Sequence, residues 1–224
     1  MKLLLTSGGL ANNSIIKALS ELVQKPFNEL KLAFIPTASN LEAGDKWWLI
    51  KDLEACKNLG FLSIDIVDIS ALPKTIWQKR LQDSDVILVE GGNTFHLMYW
   101  FNHSGLHQIL PELLKTRVYI GISAGSLVVS PSIINASSEK QIAIDIGETI
   151  YDDGLSLVNF MIAPHINNPH CPQYTFENLE KQSKNYQYPI YGLDDNSAIK
   201  IDGDKVEVVS EGEWTVSTIP TILS

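Results

Sequence analysis

Cysteine and arginine are scarce in this 224-residue chain, with two of each: Cys56 and Cys171, Arg80 and Arg117. Two distant cysteines outside any CxxC pair exclude a disulfide scaffold, and the expected setting is a reduced, cytoplasmic one. Positive charge is also short, 17 Lys and Arg against 26 Asp and Glu, a formal charge of -9. That balance argues against nucleic acid or an acidic membrane surface as a partner, because both demand basic patches. No apolar run approaches the roughly 20 residues of a membrane helix. Leu3–Leu5 is too short for a signal-peptide core and gives way to polar Asn12-Asn13-Ser14. There is no phosphate loop or complete dinucleotide fingerprint. His96, His103 and His107 lack acidic partners at ligand spacing, so no metal site and no cofactor are expected. Repeats, linkers and low-complexity tracts are absent as well, which leaves one domain over residues 1–224. With 45% hydrophobic and 19% charged residues, such a chain can bury a sizeable core.

Short apolar runs alternate with helical patterns. Lys2–Leu5, Leu32–Ile35, Ile64–Ile69, Asp85–Val89 and Val118–Ile122 read as strands. Between them, Asn13 or Ser14 can cap a helix, Trp47–Leu59 reads as a helix closed by Gly60, and Thr75–Leu81 as a shorter one. This rhythm implies βαβ units: an α/β three-layer sandwich with a mostly parallel central sheet. Ser197–Ile201 and Lys205–Val209 flank Asp202-Gly203-Asp204 as a C-terminal β-hairpin, with Trp214–Val216 a further edge strand. Pro131–Glu148, polar around Asn135 to Gln141, reads as a loop or hairpin folded over the site.

Ligands of parallel sheets bind beyond the carboxyl ends of the strands, and four stretches gather there: Gly121–Gly125, Glu90-Gly91-Gly92-Asn93, Ser7-Gly8-Gly9 and Thr37-Ala38-Ser39-Asn40. The first is Gly121-Ile122-Ser123-Ala124-Gly125, a Gly-x-Ser-x-Gly turn after a buried strand, the pattern of a nucleophile elbow. Its glycines are expected to spare the turn collisions a Cβ would cause, and the following helix to aim N–H groups and its dipole at the serine. Glu90-Gly91-Gly92-Asn93-Thr94 then opens a helix over Thr94–Phe101; adjacent glycines expose the bare amides an oxyanion hole needs. Leu157–Ala163 reads as a strand delivering His165, the best placed general base of the five histidines. Asp194 and Asp195 follow the apolar Ile190–Leu193 and can reach the same edge to orient the imidazole.

In order, the Glu-Gly-Gly-Asn-Thr-Phe-His-Leu stretch from Glu90, the Gly-Ile-Ser-Ala-Gly-Ser elbow, Pro-His-Ile-Asn-Asn around His165 and Tyr-Gly-Leu-Asp-Asp-Asn-Ser-Ala-Ile from Tyr191 resemble the peptidase E family of serine peptidases. The resemblance implies a class I glutamine amidotransferase-like fold, with Ser123 as nucleophile and His165 as base. It also implies oxyanion and substrate contacts from Gly91, Gly92, Asn93 and Ala124. The expected substrate is a small peptide, and a homodimer is compatible with the reading. Two departures stand out. The aspartate expected about fifteen residues after the serine falls near Ser138, leaving Asp195 as first choice for the acid and Glu139 as second. The arginine that pairs the substrate carboxylate in aspartyl dipeptidases is missing from Tyr174–Lys181, which puts aspartyl specificity in doubt. Alternatives from other classes are a non-catalytic amidotransferase-like binding module and a small-ester hydrolase.

Overall fold

The computed structural model describes residues 1–134 and 137–217. Strands β1 (Lys2–Thr6), β2 (Lys31–Ile35), β3 (Ser63–Ile66), β4 (Val86–Val89) and β5 (Val118–Ile122) alternate with helices α1 (Asn13–Val23), α2 (Thr37–Asn40), α3 (Trp47–Leu59), α4 (Lys74–Gln82), α5 (Thr94–Ser104) and α6 (Leu106–Leu113). After β5 come α7 (Ala124–Leu127), α8 (Ser137–Asp145), β6 (Met161–Ala163), α9 (Phe176–Ser183), β7 (Ile190–Leu193), β8 (Ser197–Asp202), β9 (Lys205–Ser210) and β10 (Trp214–Ser217).

Seven strands form the main sheet in the order β3-β2-β4-β5-β1-β8-β9. The first five are parallel, and the β8–β9 hairpin adds antiparallel to β1. The two-residue period of the strands builds both faces. Leu3, Leu5, Ile87, Val89 and Tyr119 enter one core, whereas Leu4, Val86, Leu88 and Ile120 enter the other. Each fully buried side chain of this kind contributes about 1.5–3 kcal/mol. A smaller sheet, β10-β7-β6, has its own cluster of Met161, Ala163, Ile166, Leu179 and Ile190. No helix among the described residues is long and apolar enough to cross a membrane.

Several boundaries differ from the sequence reading. Asn12, rather than Asn13 or Ser14, caps α1, accepting Ile15 N–H at 3.0 Å. Only Met161–Ala163 of the expected Leu157–Ala163 strand pairs, because β7 meets just those three residues. The 131–148 stretch is not a hairpin. It carries the helix α8, and a lone antiparallel bridge between Ser132 and Asp153 closes its base. Asn135 lies outside the described residues.

Candidate active site

β5 runs into the elbow with Ser123 at φ 47°, a left-handed conformation that a serine adopts only when its surroundings hold it there. Ser123 N–H donates to Thr6 O at 3.0 Å, while Ser123 O accepts Ser126 and Leu127 N–H at 2.8 and 2.9 Å. The flanking glycines allow this packing. A Cβ on Gly125 would lie 2.1 Å from Val89 O, and one on Gly121 2.5 Å from Gly125 O. The helix that follows is a single turn, Ala124–Leu127, so its contribution to the site is the amides of that turn rather than a long dipole.

The second sheet brings the histidine. His165 follows β6 and Pro164 with φ 60°, and its N–H donates to Ser7 Oγ at 2.8 Å. Its Nε2 stands 2.8 Å from Ser123 Oγ, and its Nδ1 2.6 Å from Asp195 Oδ1. Asp195 lies in the turn between β7 and β8. Ser7 Oγ donates to its Oδ1 at 3.1 Å and Asn168 Nδ2 to its Oδ2. Burial alone would raise this carboxyl, but the hydrogen bonds and charge of His165, with Asn168 and Ser7, hold it below the ordinary aspartate value. An ionised Asp195 accepts only, so Nδ1 carries the imidazole proton and Nε2 is left to accept from the serine hydroxyl.

The acidic candidates separate cleanly. Asp195 meets His165. Glu139, carried by α8, accepts Thr94 N–H at 2.8 Å at the start of α5 and has no hydrogen bond to His165. Asp194 accepts from Asn196 N–H, Ser197 Oγ and Glu213 N–H, which shapes the turn into the hairpin. Ser138 lines the cleft.

The glycine turn after β4 stands directly over the serine, since a Cβ on Gly91 would be 3.3 Å from Ser123 Cβ. Its amides are not equivalent. Gly91 N–H donates to Glu90 Oε1 at 2.9 Å, and Asn93 N–H to Ala38 O at 3.0 Å. The Asn93 side chain accepts His96 N–H as the cap of α5 and donates to Glu139 O. The Gly91 and Asn93 amides are therefore occupied. The Gly92 and Ala124 amides have no acceptor among the described residues. Gly92 adopts φ 127°, and a Cβ there would lie 2.4 Å from Ala38 C and O. Gly92→Ala is accordingly expected to displace the turn and to lower both the melting temperature and kcat, measured by thermal unfolding and hydrolysis.

Sequence reasoning placed Ser7 at this sheet edge but gave neither it nor Asn168 a role; the two hold Asp195 and His165 in place. It also missed a buried acid pair. Glu90 is fully buried and Asp52 of α3 is 7% exposed. Burial first, then the charge of Asp52, pushes Glu90 well above the ordinary range, and burial pushes Asp52 up to about 6. Glu90 Oε2 has no hydrogen-bond partner among the described residues, and burial without a donor there favours the neutral carboxyl. Folded-state values above the unfolded ones mean that this pair's contribution to stability is complete below about pH 4. It declines as pH rises through about 6 and beyond. Glutamine reproduces protonated Glu90, so Glu90→Gln is expected to match wild type near pH 4.5 and to be the more stable of the two at pH 8. Urea midpoints across that range check this, and a difference independent of pH rules out a raised Glu90.

The model for peptidase family S51 matches residues 3–209. The chain belongs to peptidase family S51. As an S51 member it is a serine-type peptidase. An uncharacterized peptidase of Listeria monocytogenes serovar 1/2a is 32% identical over 176 residues, spanning 78% of this chain and 83% of the relative. A Shewanella baltica (strain OS155) protein named peptidase E is 30% identical over 190 residues, 82% of this chain and 76% of the relative. A solved structure from Listeria monocytogenes EGD-e, assigned to peptidase E, aligns with TM-score 0.77 and 28% identity over 94% of this chain and 98% of the other. A peptidase structure from an acI-B1 actinobacterium has the same fold at TM-score 0.70 and 18% identity, over 98% and 94% of the two chains. In this S51 chain the α/β fold with its mostly parallel sheet and C-terminal hairpin agrees with the architecture read from sequence.

Proposed function

We propose that this S51 peptidase hydrolyses dipeptides or short peptides through an acyl-enzyme, with Ser123 as nucleophile, His165 as general base and Asp195 orienting the imidazole. One observation carries the reading: His165 bridges Ser123 Oγ and Asp195 Oδ1 at 2.8 and 2.6 Å, one ring nitrogen to each. Ser123 Oγ attacks the scissile carbonyl carbon as His165 Nε2 takes its proton. The oxyanion accepts from the Gly92 and Ala124 amides, each such donor being worth roughly 3 kcal/mol of barrier. The C–N bond then breaks, the imidazolium protonates the leaving amine, and a water activated by His165 releases the acid.

Asp195 supplies the acid whose absence near Ser138 favoured a non-catalytic module. Aspartyl specificity has no such support. The small cavity of about 60 Å³ beside Ser123 is lined by Leu127, Ile134, Ile166, Tyr174 and Leu179, and no Lys or Arg lines it. A fluorophosphonate probe is expected to label wild type at Ser123, and a dipeptide panel to be cleaved. Esters turned over without any peptide would replace the peptidase reading with an esterase. Failure of both labelling and turnover would restore the binding module.

A further inference from the structure

Adjoining the small apolar cavity, with Ser123, Glu139, His165 and Tyr174 lining both, lies a cleft of about 560 Å³. Six of its lining side chains are carboxylic acids: Glu42, Asp45, Asp52, Glu90, Glu139 and Asp195. Lys51 is the one lysine, and no arginine lines it. Even with Glu90 neutral and Asp195 paired to His165, the walls carry a negative excess. A cleft of one sign concentrates ligands of the other.

Three observations besides the charge indicate a ligand. The cleft opens on Ser123 and His165, so whatever fills it meets the nucleophile. Asp52 and Glu90 are buried and line the cleft, and Glu90 Oε2 has no hydrogen-bond partner among the described residues. Trp47, 55% exposed, and Trp48 wall the same space, and indole faces attract ammonium and guanidinium groups.

We infer that the substrate is a short peptide that places a positive charge in this cleft and an uncharged side chain in the apolar cavity beside Ser123. The inference rests on the proposed peptidase site and specifies what that site takes. The cation is either a free α-ammonium or a basic side chain. Both carry N–H donors for the carboxylates of the cleft. A substrate carboxylate would enter a cleft with one lysine to meet it, and the apolar cavity would desolvate that carboxylate without a partner.

Calorimetric binding to Ser123→Ala separates this inference from the catalytic one, because it needs no turnover. The ligands are Leu-Lys, Leu-Ala, N-acetyl-Leu-Lys, N-acetyl-Leu-Ala and Asp-Ala. Leu-Lys is expected to bind about tenfold or more tighter than Asp-Ala, and added salt to narrow that gap. Loss of affinity on acetylation alone would assign the cation to the α-ammonium; loss on replacing Lys by Ala would assign it to the side chain. The double variant Glu42→Gln/Asp45→Asn is expected to flatten the ranking. Asp-Ala binding as tightly as Leu-Lys, a ranking that survives the double variant, or no binding by any member overturns the inference. Fluorophosphonate labelling of wild type independently reports whether Ser123 is activated.

Discussion

Ser123→Ala is expected to lower kcat/KM for a cleaved dipeptide by roughly 10⁴–10⁶-fold while leaving the fold intact. In the proposed mechanism the hydroxyl oxygen forms the acyl-enzyme, and alanine offers no other nucleophile at that point. The backbone that holds Ser123 is independent of the hydroxyl, since its amide donates to Thr6 O and its carbonyl accepts from Ser126 and Leu127. Alanine must still adopt φ 47°, as serine does, so the variant tests chemistry more than stability. Circular dichroism and thermal unfolding check the fold, and loss of fluorophosphonate labelling ties the effect to this side chain. A variant that keeps more than about a tenth of wild-type peptide turnover would remove Ser123 from the mechanism.

Asp195→Asn is the second large effect, expected at about 10⁴-fold in kcat. The carboxylate accepts the Nδ1 proton, which leaves Nε2 free to take the serine proton. An asparagine that turns its amide nitrogen to Nδ1 donates instead, places the ring proton on Nε2 and abolishes the base. The loss should fall on kcat, because Asp195 touches the imidazole and not the scissile bond. Glu139→Gln makes the contrast: its carboxylate caps Thr94 N–H at 2.8 Å, so its effect should appear mainly in KM. If Glu139→Gln reduces kcat as much as Asp195→Asn does, the acid has been misassigned.

Much of this site is local, and local signals survive in sequence. The elbow is five consecutive residues whose glycines answer to measurable collisions, 2.1 Å at Gly125 and 2.5 Å at Gly121. The turn after β4 is likewise legible as a pair of glycines at a strand end. Helix α3 appears with the bounds its pattern implies, Trp47–Leu59 closed by Gly60 in the left-handed region. Elsewhere local pattern misled. Pro131–Glu148 reads as a loop or hairpin, yet Ile142 and Ile144 lie in α8 and Ile146 just past its end; all three are exposed. Ser7 and Asn168 carry no motif of their own. They matter because Ser7 directly follows β1 beside β5, and Asn168 lies three residues past His165 where the chain turns back to Asp195.

The sequence by itself determined the alternation of strands and helices, the buried faces of the central strands, the elbow serine and the candidate histidine. These follow from periodicity and backbone sterics acting over a few residues. Tertiary structure alone decided which acid meets that histidine, which amides stay free, and that Asp52 and Glu90 share a burial site. The physical reason is distance along the chain. Asp195 is 30 residues from His165 and Ser123 is 42. Their meeting depends on how a three-stranded sheet docks beside the seven-stranded one, and no local period encodes that.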